Sequence, residues 1–157
     1  MHRGSDTDSR SAMLLGSMLA GQAFANAPVA AVHALAYPLG GHYHIPHGLS
    51  NSLVLPHVLR FNASEASELY AKIAVAILPK EEGKSSVNAA ELTDRLIQYL
   101  IGLIEDVGLE SKLRQVGVKE ESLDMLAADA MLQQRLLVNN PREVTEADAR
   151  EIYARAY

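Results

Sequence analysis

Apolar residues in this chain recur at three- and four-residue spacing, and no convincing stretch alternates apolar with polar. A half-buried strand needs a period of two, whereas a core-facing helix needs a period near 3.6. The pattern therefore restricts the chain to helices. Hydrophobic residues make up 48% of the sequence, but aromatics only 5%, and tryptophan is absent. The core must be built from Leu, Ala, Val, Ile and Met, a palette that lets helix backbones approach closely. With 157 residues the expectation is one domain, residues 1–157, folded as an all-α multi-helix bundle.

Proline, glycine and capping residues divide the pattern. Asp6 or Asp8 can cap a first helix over residues 9–25, where Gly16, Ala20, Gly21 and Ala23 leave room for a close neighbour. Pro28 suits the first turn of a second helix, expected to stop near Pro38 and Gly40-Gly41. Residues 40–46 read as a loop. Pro46 opens a third helix, bent at Pro56 and closed by Asn62, and Ser64 begins a fourth. A polar loop follows over residues 79–86. Asn88 or Ser86 then starts a long helix with Leu92, Leu96, Tyr99, Leu100 and Leu103 on one face, ended by Gly108. Short helices are expected before Gly117 and over residues 120–131, and Thr145 caps a last one with Glu146 and Asp148 in its first turn.

Charge and composition exclude several functions. The net charge is −5 with both signs dispersed, so no basic patch is available for nucleic acid. There is no cysteine, which removes disulfides and thiolate metal sites; any metal must be held by His, Asp or Glu. Residues 13–27 are apolar and end in Ala25-Asn26-Ala27, which resembles the cleavage site of a secretory leader. Asp6 and Asp8 precede that run, however, and apolar character continues past it to Leu39. No run reaches the roughly 18 apolar residues of a membrane span. The expectation is a cytoplasmic protein with no membrane partner.

Five of the six histidines lie between positions 33 and 57. His33 sits on the second helix and His47 opens the third, with a Pro-Gly-Gly stretch between them. A helical hairpin of that kind can bring two imidazoles to one point, and neutral imidazole suits Fe or Zn. Spacing alone leaves two buried structural histidines as the commoner alternative. His42 and His44 read as surface residues, His57 as a core or interface residue, and His2 as part of a frayed end.

The run HALAYPLGGHYHIPHGLSNSLVLPHVLRFN carries a more specific message. His33, Pro38-Leu39-Gly40, Pro46-His47-Gly48, Asn51, Leu55-Pro56 and Asn62 follow one another as in the iron-containing (group III) alcohol dehydrogenases, and the chain resembles the C-terminal helical domain of that family. Phe24 and Asn26 upstream, and the tail NNPREVTEADAREIYARAY, extend the resemblance over nearly the whole chain. It implies a divalent cation, Fe²⁺ or Zn²⁺, held by one Asp and three His, with His33 and His47 as two of the four ligands. It also implies NAD(P) as hydride acceptor, Phe24 beside the nicotinamide and substrate pocket, and a small alcohol or aldehyde as substrate. Where the family usually has a proton-relaying His, this chain has Tyr37, which donates a hydrogen bond but is a poorer base at neutral pH.

The family's Asp-x-x-x-His element and its glycine-rich nucleotide-binding domain have no counterpart in these residues. The expected function is therefore that of the C-terminal domain of a metal-dependent alcohol dehydrogenase, inactive or only metal-binding as an isolated chain. Two alternatives stand beside it. One is a non-catalytic helical module that self-associates as a homo-oligomer through apolar surface. The other is a relative resembling maleylacetate reductase, which works without metal.

Overall fold

The computed structural model describes residues 3–79 and 88–157, and every regular element among them is helical. The expected all-α bundle is what forms. The chain order is α1 (Thr7–Asn26), α2 (Ala31–Tyr43), α3 (His47–Ile77), α4 (Ala89–Asp106), α5 (Leu123–Ala130), α6 (Gln134–Leu137) and α7 (Glu146–Ala156). Two 3-10 turns, Leu113–Val116 and Glu120–Ser122, fill the stretch between α4 and α5.

Several ends follow from single residues. The Asp6 carboxylate accepts the Ser9 amide at 3.1 Å and starts α1. Asn88 does the same for Glu91 at 2.9 Å and starts α4; the alternative start at Ser86, and the polar loop around it, lie outside the described residues. Thr145 and Asp148 form a reciprocal capping box on α7. Gly108 and Gly117 take φ of 75° and 83°, a left-handed conformation that glycine adopts without penalty, and there the preceding helical turns end.

Four boundaries differ from the sequence reading; in the first, Pro28 does not open the second helix, since α2 begins at Ala31. α2 does not stop at Pro38 or Gly40-Gly41 but runs on to Tyr43. Pro38 forfeits one amide donor, yet Ala34, Leu35 and Leu39 around it are fully buried, and that packing outweighs the lost bond. Asn62 does not close a helix, and Ser64 does not begin one: α3 is a single helix of 31 residues. Asn62 is buried, and its side chain bonds outward, across to Asn140, instead of capping its own backbone. The segment expected as one helix over residues 120–131 is a 3-10 turn followed by α5.

The long α3 joins two hydrophobic clusters. Its first half packs with α2, α5, α6 and α7 around Leu35, Leu39, Val54, Leu126 and Tyr153. Its second half pairs with α4 through Ala71, Ala74, Leu78, Leu92 and Leu96. On α4, Thr93 and Ile97 are buried while Tyr99 and Leu103 are exposed, so the packed stripe is rotated from the one read in sequence. The Tyr153 hydroxyl is buried and donates to the Leu35 carbonyl at 2.6 Å, fastening α7 to α2.

α1 differs from the rest in burying none of its residues. Met13 and Leu14 are each 74% exposed. The close neighbour expected from its small residues is not found among the described residues: a Cβ added at Gly16 or Gly21 meets open space. No helix among the described residues is long and apolar enough to cross a membrane.

Candidate metal centre

α2 and α3 are joined by only three residues. His44 takes φ of 54°, Ile45 is buried, and Pro46 precedes the first turn of α3. So tight a connection folds the start of α3 back against α2. His33 and Tyr37, one helical turn apart on α2, thereby meet His47 in the first turn of α3. The His33 and His47 ring centroids lie 5.1 Å apart with planes tilted by 57°. The Tyr37 ring lies 6.1 Å from that of His47. Burial, and then the neighbouring His47, pushes the His33 imidazole below the usual histidine range, so its neutral form is favoured. Neutral imidazole is the form that binds metals.

One participant was not assigned a role from sequence. Asn51 lies one turn after His47, and its amide nitrogen donates to His47 Nε2 at 3.1 Å and to the His47 carbonyl at 2.9 Å. His47 Nε2 is thus an acceptor, with its lone pair directed outward from the ring. Asn51 Oδ1 is buried without a hydrogen-bond partner. That lone pair is engaged by Asn51, so a cation would take it in place of the Asn51 bond; with the second imidazole 5.1 Å away and the orphaned Asn51 Oδ1 beside it, the group offers nitrogen and oxygen donors of the kind a divalent cation accepts. The signal for Asn51 was its four-residue spacing from a candidate ligand.

The remaining predicted residues are dispersed. Phe24 stands on α1, 58% exposed, and takes no part in the ring contacts that join His33, Tyr37 and His47. His42 is on the surface, paired with Asp129 at 2.8 Å, and His44 is exposed. His57 is half-buried on α3, and His2 lies outside the described residues. No group of three or more His, Cys, Asp or Glu able to hold a metal occurs among the described residues, so the two imidazoles stand as a pair.

Fold and ring pair define an all-helical domain whose tight α2–α3 corner presents two facing imidazoles at one end of α3. Residues 1–157 match the C-terminal model of the Fe-containing alcohol dehydrogenase family, and the chain belongs to that family. It is 43% identical over 155 residues to long-chain-alcohol dehydrogenase 1 of Geobacillus thermodenitrificans, covering 98% of this chain and 38% of that protein. It is 39% identical to lactaldehyde reductase of Escherichia coli strain K12 over 152 residues, 97% of this chain and 39% of the relative. Among solved structures it resembles 1,3-propanediol oxidoreductase with a TM-score of 0.91 at 34% identity, over 98% of this chain and 39% of that one. The chain thus spans about two-fifths of the length of the relatives it matches.

Proposed function

We propose that this chain is the metal-site half of an NAD(P)-linked alcohol dehydrogenase, with His33 and His47 as two ligands of a divalent cation, Fe²⁺ or Zn²⁺. The observation that carries the proposal is the 5.1 Å approach of the two rings across the α2–α3 corner. When bound, such a cation supplies Lewis-acid polarisation of an alcohol or carbonyl oxygen. The chain's own residues do the rest. His33, held neutral, offers a nitrogen lone pair, and His47 offers its Nε2 lone pair once the Asn51 amide gives way to the cation. Tyr37, beside His47, offers a phenolic hydrogen bond to a substrate oxygen. Phe24 supplies an apolar wall near the nicotinamide. The relatives' names point to a small or long-chain alcohol, or its aldehyde, as substrate class.

Two imidazoles are half of the ligands a four-coordinate site requires. The 157-residue chain by itself is expected to bind Zn²⁺ weakly and to show no alcohol-dependent reduction of NAD(P)⁺. Calorimetric titration with Zn²⁺ tests the pair: His33→Ala and His47→Ala should each abolish the specific heat signal. Equal binding by wild type and the double variant would remove both residues from the site. Metal-dependent turnover of simple alcohols by the chain alone would overturn the expected inactivity.

Exposure of α1 favours a second reading, a non-catalytic module that self-associates. Met13, Leu14, Leu15, Met18, Leu19 and Phe24 are all more than half exposed, and an apolar patch of that kind favours pairing. A homo-oligomer that dissociates on Leu15→Glu with Met18→Glu in sedimentation velocity supports it, whereas a wild-type monomer at high concentration excludes it.

A further inference from the structure

We propose that the cleft between α3 and α4 is a binding site for a small tetrahedral oxyanion of the phosphate type. The cleft encloses about 180 Å³. That is room for several waters at about 30 Å³ each, and so for one such anion with part of its hydration. Its polar lining comes from Ser52, His57 and Arg60 of α3, Glu105 of α4, and Ser111 and Lys112 of the segment that follows.

Three features give the cleft its chemistry. Arg60 and Lys112 line it, and neither forms an ion pair among the described residues. A guanidinium presents a planar fork of donors suited to oxyanions, and an ammonium adds a compact charge. Ser52 and Ser111 add hydroxyl donors. His57 reports the local field: burial pushes its imidazole down to about 4, and Lys112, Arg60 and Arg155 add to that shift. Arg155 is partnered by Glu151 at 2.9 Å, so the positive charge without an ion pair among the described residues belongs to Arg60 and Lys112, opposed within the cleft by Glu105.

The site is independent of the imidazole pair. Ser52, Pro56 and Arg60 follow one another at four-residue spacing along one side of α3, while His47 and Asn51 lie on the side turned roughly half a circle away. α2 packs against α3 near the latter, and α4 closes the former.

The test is an NMR titration of the His57 ring in the full 157-residue chain at pH 7, with inorganic phosphate against sodium chloride at matched ionic strength. The exposed His42 and His44 serve as internal references. A saturable displacement of His57 alone, with phosphate alone, is expected. Arg60→Gln with Lys112→Gln should weaken it at least tenfold while the helical circular dichroism is kept, and Glu105→Gln should strengthen it. The proposal fails if His57 moves in step with His42 and His44, if chloride produces the same displacement, or if the Arg60/Lys112 variant binds phosphate as the wild type does.

Discussion

Asn62 and Asn140 form the one reciprocal amide pair in the described hydrogen bonds, 78 residues apart in sequence. Asn62 Nδ2 donates to Asn140 Oδ1 at 3.0 Å, and Asn140 Nδ2 donates to Asn62 Oδ1 at 2.7 Å. Asn62 is 3% exposed, and although its amide nitrogen also meets the Tyr70 hydroxyl, removing Asn140 leaves its carbonyl oxygen desolvated without a partner. Each bond is worth about 1 kcal/mol net, and an orphaned buried group costs about 1–3 kcal/mol. Asn140→Ala should therefore destabilise by about 2–3 kcal/mol, a fall in Tm of about 4–12 °C for a chain of this size. Asn62→Ala should cost slightly less, because Asn140 keeps a second acceptor in the Arg142 carbonyl at 2.6 Å. The double variant removes both amides and leaves neither orphaned. Its cost should fall short of the sum of the singles by about 1–2 kcal/mol, the size of coupling expected for groups in direct contact. Equilibrium urea unfolding of the four proteins, with m-values held equal, measures the coupling. Additivity within about 0.5 kcal/mol would refute the clasp, since independent sites behave that way.

Two further outcomes follow from buried groups. Tyr153→Phe keeps the ring and removes the hydroxyl that reaches the Leu35 carbonyl at 2.6 Å, so urea unfolding should show a loss of about 1 kcal/mol. His57 titrates at about 4 in the folded chain and near 6.5 when unfolded. The unfolded chain thus binds the proton more readily, so the stability this residue contributes is present above pH 6.5 and lost as pH falls towards 4. Wild type should lose more stability across that window than His57→Gln, and parallel curves would contradict the shift.

Much of the fold is written in local chemistry. Asp6, Asn88, Thr145 with Asp148, Gly108 and Gly117 each act within one helical turn, and the helix ends they signal are where the structure has them. What was not legible depends on partners far away in sequence. Pro38 and Gly40-Gly41 carry local stop signals, but burial of Leu35 and Leu39 among residues of α3, α5 and α7 holds the helix through them. Asn62 looks like a terminator until Asn140 is placed beside it. The same holds at the candidate site. The proximity of His33 and His47 was suggested by a hairpin and by family resemblance, whereas Asn51 gained a role only when His47 Nε2 was seen 3.1 Å from its amide. For α1 the difficulty is of another kind: its apolar residues have no single face, the pattern of a helix covered on several sides, and among the described residues nothing covers it.

The corner that sets the ring pair can be tested at one residue. His44 is the only non-glycine residue at positive φ among those described, at 54°. An L-residue there bears strain of about 1–2 kcal/mol, because its Cβ crowds the following carbonyl. The conformation is what lets α2 end at Tyr43, with the His44 amide bonded to the Gly40 carbonyl at 3.1 Å, and lets Pro46 open α3 two residues later. His44→Gly removes the strain but adds unfolded-state freedom worth about 0.4–1 kcal/mol, so the net change should lie between zero and about 1.6 kcal/mol of stabilisation. The backbone path is unchanged, so Zn²⁺ binding by His33 and His47 should be unchanged as well. His44→Val should do the reverse: a β-branched residue is poorly tolerated at positive φ, and opening the corner would separate the rings and weaken metal binding together with stability. If His44→Gly lost more than about 1 kcal/mol in urea unfolding, the His44 side chain itself, rather than the turn it adopts, would be what holds α2 to α3.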